Sequence, residues 1–276
     1  GAIQGQNRDW VMAIDDSGKL TDWDPKANSN VTCVVPGSEA VFIASDSGFL
    51  GGQDRKGFAV YDLNSGELDP FNPVFGHVYA FLLDGTTLYV SDWYNRISAI
   101  DLKSKTVSLW PKDTKFNGGI FALTKNDTTM YVAGPFSTVN GERREMLAAF
   151  DVKSGDLLPW APTISKKDGA LGVYSMEVAG DLIIVGGSFD TVNNERHPNL
   201  AAINSQGVVQ SWTPSPDGEV KKVLVAGPNL YVGGTFKQVT TSAFIRKGFA
   251  AFDSKSLEVL TFDPSLTSSD GFQETV

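Results

Sequence analysis

The sequence contains very little cysteine and histidine. One cysteine and two histidines occur in 276 residues, so an internal disulfide and any multi-cysteine metal site are excluded. The single thiol, Cys33, lies in the apolar run VTCVV, and we predict that it is buried and inert. Two histidines provide few general bases, and no G-x-S-x-G sequence, the nucleophile elbow of serine hydrolases, is present. We therefore predict no catalytic residues, no metal ion and no cofactor.

Basic residues are also few. The chain has 23 Lys and Arg against 32 Asp and Glu, a formal net charge of −9. Nucleic acid is normally bound by a basic stripe, so we predict no nucleic-acid partner. No apolar run approaches the roughly 18 residues of a membrane helix, and no N-terminal signal segment is recognisable. We predict that the chain does not span a membrane.

A repeated phrase is the most prominent feature that the sequence does contain. It reads AVYDLNSGELDPFNP from Ala59, AAFDVKSGDLLPWAP from Ala148 and AAFDSKSLEVLTFDP from Ala250. The Asp or Asn that closes its apolar part recurs every 39 to 53 residues, at Asp15, Asp62, Asp101, Asp151, Asn204 and Asp253. An aromatic residue follows each marker after eight or nine residues. Periods of this length indicate a repeat architecture of six units.

Each unit has the same internal order of four apolar runs. A first run such as VYAFLL is followed by a turn and a second run such as TLYVS or TMYVA. A variable loop then leads to the AxFD run, and a DxxSG turn leads to the run that ends in the aromatic residue. Four short strands per repeat are typical of a propeller blade. We predict an all-β fold, a six-bladed β-propeller of four-stranded antiparallel blades in one domain of residues 1–276, with blades at about 1–29 plus 271–276, 30–76, 77–117, 118–170, 171–217 and 218–270.

The two ends of the sequence complement each other. The start, GAIQGQNRDWVMAID, aligns with FLGGQDRKGFAVYD, so the chain begins in the second strand of a blade. The end, GFQETV, resembles the first strand of a further blade. We therefore predict that residues 272–276 pair beside residues 2–5 and close the ring, which removes exposed sheet edges. Because the sequence ends at this closure, we expect it to be part of a larger multidomain chain or assembly.

The longest repeated motifs resemble those of a known repeat family. GPFSTVNGERREMLAAFDVKSGDLLPWAP, GGSFDTVNNERHPNLAAINSQGVVQSWTP and GGTFKQVTTSAFIRKGFAAFD are similar to the delta-60 type of β-propeller repeat of bacterial surface and secreted proteins. The resemblance implies a propeller at an extracellular or cell-surface location. It implies no activity, because the family has no agreed catalytic residues.

One blade departs from the repeat and supplies the first candidate site. Where other units have a glycine-rich end and a long insert, it has the short segment SDWYNRI, with Asp92, Trp93, Tyr94 and Arg96. Aromatic residues beside charges in a loop are typical of recognition surfaces. We add His77, which precedes this blade's first strand. The alternatives are that Trp93 merely covers the blade tip and that His77 is structural.

A second candidate site follows from the strands that would line the central channel. Aligned by their first apolar residue, their third positions read Cys33, Ala80, Ala122, Ser175, Lys222 and Glu274. Lys222 and Glu274 could pair, and Lys221, Gln273 and Glu177 add polar groups. The set suits a small ligand, an ion or water, or else a structural ion pair.

Five residues seven positions before a marker are instead interpreted as structural. They are Arg8, Arg55, Arg144, His197 and Arg246. A site that is used once does not need five copies, so we predict that these side chains bond loop carbonyls or stack on neighbouring rings.

Three functions fit these observations. The first is a non-catalytic recognition or adhesion domain of a secreted or cell-surface protein, which binds protein or carbohydrate through its loop rim. The second is a metal-assisted hydrolase, lactonase or lyase at the channel mouth. The third is a structural spacer domain.

Overall fold

The computed structural model describes residues 2–3, 6–7, 10–46, 48–239 and 246–262. The chain divides into two compact units, residues 1–110 and residues 111–276. The described residues form antiparallel sheets of two to four strands joined by turns. They contain no helix long and apolar enough to cross a membrane.

The first unit contains a three-stranded sheet (β3–β4–β7), a four-stranded sheet (β8–β9–β10–β11) and two short hairpins. Its strands are β1 Ala2–Ile3, β2 Gln6–Asn7, β3 Val31–Pro36, β4 Ala40–Ser45, β5 Phe49–Leu50, β6 Gln53–Asp54, β7 Phe58–Asp62, β8 Val78–Asp84, β9 Thr87–Asp92, β10 Ile97–Asp101 and β11 Thr106–Leu109.

A phenylalanine cluster joins the two larger sheets of the first unit. The ring of Phe58 meets those of Phe71, Phe75 and Phe81 edge to face, with centroids 5.5–6.3 Å apart. Phe58, Phe75 and Phe81 are all buried. Each edge-to-face pair contributes about 0.5–1.5 kcal/mol beyond the burial of its apolar area.

The second unit contains three three-stranded sheets of the same connectivity (β12–β13–β16, β18–β19–β22 and β23–β24–β25). Its strands are β12 Ala122–Lys125, β13 Thr129–Ala133, β14 Thr138–Val139, β15 Glu142–Arg143, β16 Leu147–Asp151, β17 Ile164–Ser165, β18 Gly172–Ala179, β19 Leu182–Ser188, β20 Thr191–Val192, β21 Glu195–Arg196, β22 Leu200–Asn204, β23 Val220–Ala226, β24 Asn229–Gly234 and β25 Phe249–Asp253. The short strands β14, β15, β17, β20 and β21 form small separate sheets.

The second apolar run of the repeats that form a main sheet is a largely buried central strand. β19 is buried at six of its seven positions, and β9 and β13 show the same continuous burial. A short apolar run without alternation is the pattern of a strand covered on both faces. The prediction of strands from TLYVS, TMYVA and LIIVGG is confirmed.

The DxxSG turn is held by hydrogen bonds from the backbone to its aspartate. The Asp151 carboxylate accepts the backbone N–H groups of Lys153 (2.9 Å) and Ser154 (2.7 Å), and Gly155 has a φ of +77°. These bonds hold the pKa of Asp151 below its usual value. The same pair of bonds forms at the other markers Asp62, Asp101 and Asp253.

The buried arginines are structural, as predicted. Arg55, Arg144 and Arg246 are at most 7% exposed, and each donates to a backbone carbonyl 14 or 16 residues downstream. The Nδ1 atom of His197 lies 3.2 Å from the Trp212 carbonyl oxygen and plays the same part. Arg8 lies outside the described residues.

The prediction of a closed six-bladed propeller is wrong. Apart from the small β17–β20–β21 sheet, the described residues form five main sheets of three or four strands, where six blades were predicted, and none of their sheets is closed. The described residues of the first predicted unit form no such sheet, and its marker region contains the isolated bridge Ile14–Leu20. The predicted pairing of residues 272–276 with residues 2–5 lies outside the described residues, and the described pair there is Ala2–Ile3 with Gln6–Asn7.

Four strands per unit is also wrong for four of the five sheets. Only the β8–β11 sheet has a regular fourth strand, whereas the fourth run elsewhere is reduced to one bridge, such as Tyr61–Leu68 or Phe150–Leu157. In these two repeats a proline, Pro70 or Pro159, follows the bridge after two residues. Proline has no N–H to donate, so the ladder ends there.

Candidate ligand-binding site

The shortened segment SDWYNRI forms a tight turn in the first unit. Strand β9 ends at Asp92 and β10 begins at Ile97, and we call residues 92–96 the aromatic turn. Asn95 has a φ of +57°, in the left-handed region that asparagine tolerates better than most residues. Backbone bonds connect Asp92 with Asn95 and Arg96. The hairpin is therefore closed by its own backbone and needs no long insert.

Asp92 anchors the aromatic turn from inside. It is fully buried, its Oδ1 accepts the Tyr94 N–H at 2.9 Å, and its Oδ2 accepts the Arg96 Nε–H at 2.7 Å. Burial raises the pKa of Asp92, and the Arg96 charge opposes this increase in part. The carboxylate thus fixes both the backbone at Tyr94 and the direction of the Arg96 guanidinium.

Two aromatic side chains project from this anchored turn. Trp93 is 64% exposed and Tyr94 is 60% exposed. The Arg96 guanidinium carbon lies 4.7 Å from the centre of the Tyr94 ring, a cation–π contact. Most of the Trp93 side chain is in solvent. The turn presents a large aromatic area to solvent on a fixed backbone.

His77 adjoins the aromatic turn. Its carbonyl oxygen accepts the Trp93 N–H at 2.9 Å, and its Nδ1 lies 3.0 Å from Asp46 Oδ1. Its ring stacks at a tilt on Tyr79, with centroids 4.6 Å apart. Burial and the Asp92 charge raise the pKa of Tyr79. His77 therefore connects the turn to an acidic and an aromatic neighbour.

All five residues of the first candidate site lie together in the structure. Two members were missed from the sequence, Tyr79 and Asp46. Tyr79 lies two residues from His77, but β8 begins only at Val78 and its register shifts between Val78 and Ala80, so strand alternation does not predict this contact. Asp46 could not be predicted either, because it belongs to another sheet's loop 31 residues earlier.

The structure describes three of the five members of the second candidate set, Lys221, Lys222 and Glu177. Gln273 and Glu274 lie outside the described residues. Lys221 pairs with Glu219, and its Nζ lies 4.5 Å from the centre of the Tyr174 ring. Lys222 instead acts on Glu177: burial raises the pKa of Glu177 to about 7, while the Lys222 charge lowers it.

A further polar cluster in the second unit was not predicted. Lys166 Nζ lies 2.6 Å from the buried Ser188 hydroxyl and 3.2 Å from the Ala170 carbonyl oxygen. Lys166 and Ser188 also lower the pKa of Glu219, although the Lys221 hydrogen bond is the largest cause. These hydrogen bonds pair the polar groups of the cluster with one another, and they hold the loop before β18 against β19.

A metal centre has no ligand set in the described part of the chain. No group of three or more His, Cys, Asp or Glu side chains there is arranged to hold an ion. Asp92 is the carboxylate of the aromatic turn, and both of its oxygens accept hydrogen bonds from the protein. The donors and acceptors that remain free at the turn suit an organic ligand better than a cation.

Comparison with known proteins supports the fold and nothing more specific. No protein-family model matches the chain, and no curated protein does. A crystal structure of the computationally designed Ika8 protein is similar, with a TM-score of 0.52 and 12% identity over 90% of this chain and 77% of that one. The extracellular domain of a protein described as a one-component system of B. thetaiotaomicron gives a TM-score of 0.55 and 13% identity, over 92% of this chain and 30% of that one. At these identities the likeness establishes only that the chain has an all-β fold.

Proposed function

We propose that the chain is a non-catalytic recognition domain that binds its ligand at the aromatic turn. The observation that carries the proposal is the combination of high exposure and fixed backbone at Trp93 and Tyr94. Exposed aromatic side chains normally cost solubility, and their presence beside a buried anchor such as Asp92 is typical of a binding surface. Because the turn is held before binding, little conformational entropy is lost when a ligand docks.

An extracellular or cell-surface location belongs to the same proposal. Two observations support it: the resemblance of the repeats to those of bacterial surface and secreted proteins, and the extracellular origin of one similar structure. The enzyme alternative has less support, since the acidic and basic side chains of the described residues are paired in structural contacts or dispersed. The spacer alternative predicts that no ligand binds and that the aromatic turn tolerates substitution.

The test compares binding by three purified proteins on parallel arrays of glycans and of extracellular proteins. They are the wild type, the double variant Trp93→Ala/Tyr94→Ala, and Trp10→Ala, which removes a 60% exposed indole outside the turn. We expect the wild type and Trp10→Ala to bind equally, and the double variant to lose at least about tenfold in affinity.

Stability provides the control for this experiment. Both aromatic side chains are exposed, so the free energy of unfolding of the double variant should stay within about 0.5 kcal/mol of the wild type. Undiminished binding by a folded double variant would remove the aromatic turn as the site. Absence of wild-type binding on both arrays would favour the spacer.

A further inference from the structure

The donors and acceptors around the aromatic turn have a chemical preference. Arg96 uses Nε for Asp92, and its two Nη groups have no hydrogen-bond partner among the described residues. Asp46 uses Oδ1 for His77, and its Oδ2 has none there. His77 uses Nδ1, which leaves the other ring nitrogen. The site therefore offers several donors and a carboxylate acceptor within one small area.

We infer that the ligand is an uncharged carbohydrate; this inference rests on the proposed function. A sugar hydroxyl is at once donor and acceptor, so the several hydroxyls of one sugar suit both the Arg96 Nη donors and the Asp46 Oδ2 acceptor. A pyranose also presents a face of C–H groups with partial positive charge. The negative π face of an exposed indole such as Trp93 attracts that face. Arg96 and Asp46 therefore suit the hydroxyl groups of a sugar, and the Trp93 indole suits its C–H face.

The charges at the aromatic turn favour neutral over acidic carbohydrates. The site carries two carboxylates, Asp46 and Asp92, against the single guanidinium of Arg96. The chain as a whole has a net charge of −9. A uronate carboxylate that approached the Arg96 Nη groups would find their charge already balanced by Asp92 and would meet Asp46 nearby. Asp46 is held at Oδ1 by His77 Nδ1, at 3.0 Å, and its second carboxylate oxygen would still face and repel a uronate.

A protein ligand fits less well. A stable protein interface buries about 800 Å² on each side around a packed apolar centre. The side chains near Trp93 and Tyr94 include the guanidinium of Arg96, the imidazole of His77 and the carboxylate of Asp46. A depression of about 400 Å³ is lined by Arg96 and by apolar side chains such as Val74 and Leu109, and it does not include Trp93 or Tyr94. A protein ligand is therefore kept as an outcome of the test.

The experiment titrates the whole chain with neutral oligosaccharides (glucan, mannan and galactan hexamers) and with uronate-containing oligomers of the same length, and follows heat by calorimetry. We expect at least one neutral hexamer to bind. Its uronate counterpart should bind at least about tenfold more weakly, and NaCl between about 50 and about 500 mM should change the neutral affinity less than about twofold.

Three variants distinguish the roles of the side chains. Trp93→Ala should lose at least about tenfold in affinity for the neutral hexamer, while Trp10→Ala should bind like the wild type. Asp46→Asn removes the repelling charge and keeps an acceptor. It should therefore narrow the preference for neutral over uronate oligomers to less than about threefold.

The outcomes separate this inference from the function on which it rests. Tighter binding of the uronate oligomers, or an unchanged preference in Asp46→Asn, would overturn the neutral-sugar inference alone. Binding to a protein but to no hexamer, lost in Trp93→Ala, would also overturn it and leave the recognition function standing. Binding that ignores Trp93→Ala would overturn both.

Discussion

Glu177 provides the sharpest test of the electrostatics, because its carboxyl group titrates near neutral pH. Burial on β18 raises its pKa from 4.5 to about 7, against the opposing charge of Lys222. The difference corresponds to at most about 3.4 kcal/mol at 1.36 kcal/mol per pH unit. Part of the side chain remains solvated, so we expect about 1–2 kcal/mol.

The sign follows from proton linkage. The folded state keeps its proton to a higher pH than the unfolded state, so the wild type loses stability as pH rises from about 4.5 to about 7. Glu177→Gln resembles the protonated form and cannot titrate. It should match the wild type near pH 4.5 and exceed its free energy of unfolding by about 1–2 kcal/mol near pH 8.

Urea unfolding at pH 4.5, 6, 7 and 8 measures the difference, with the exposed Glu195→Gln as the matched control. Lys222→Gln should move the transition to higher pH, because the Lys222 charge lowers the pKa of Glu177. A Glu177→Gln variant that is less stable than the wild type at pH 8, or one that keeps the wild-type pH profile, would refute the reasoning.

Two further predictions concern the repeat itself. Arg55→Ala removes hydrogen bonds to the Phe71 carbonyl and to Gln53 and should cost about 2–3 kcal/mol, while the exposed Arg196→Ala should cost less than about 0.5 kcal/mol in the same denaturant series. Gly187→Ala would place its Cβ 2.1 Å from a backbone carbonyl oxygen across the β18–β19 ladder and should cost about 3 kcal/mol or more by thermal unfolding. Gly180→Ala, which meets nothing within 4 Å but has a φ of +60°, should cost only about 1 kcal/mol. The assigned contacts would be contradicted if Arg55→Ala and Arg196→Ala, or Gly187→Ala and Gly180→Ala, lowered the free energy of unfolding equally.

The strands and turns could be predicted because their causes are local. The Asp151 turn depends on a carboxylate, two nearby N–H groups and a glycine, all within five residues. The central strands depend on short apolar runs that have no helical period. The shortened segment SDWYNRI was predicted to be a recognition loop, and the structure places Trp93 and Tyr94 largely in solvent there.

The arrangement of sheets could not be predicted, because it depends on contacts distant in sequence. The region of Asp15 has the turn of the repeat, with the carboxylate accepting the Ser17 and Lys19 N–H groups, yet it forms only one bridge beyond it. The Asp15 region therefore has the sequence pattern of the repeat, although its described residues form no three-stranded sheet. The insert in GPFSTVNGERREM was read as a variable loop, whereas it folds as the β14–β15 hairpin on an Asn140-Gly141 turn with φ of +53° and +82°.

The candidate site was found for a related reason. Departure from a repeat is visible in one sequence, so the aromatic turn stood out, whereas its neighbour Asp46 comes from another sheet. Glu177 was visible as a polar residue on an inner strand, but its raised pKa depends on burial that the sequence does not contain.

Fluorine NMR of the ligand-bound protein tests the recognition function most directly. The chain contains six tryptophans, which can all be replaced by 5-fluorotryptophan, and Trp93→Phe identifies the Trp93 signal. On titration with the neutral oligosaccharide that binds most strongly, we predict that the Trp93 resonance shifts while the signals of the buried Trp160 and of Trp10 stay in place. A saturable shift at another tryptophan, with the Trp93 signal unmoved, would contradict the assignment of the aromatic turn as the binding site.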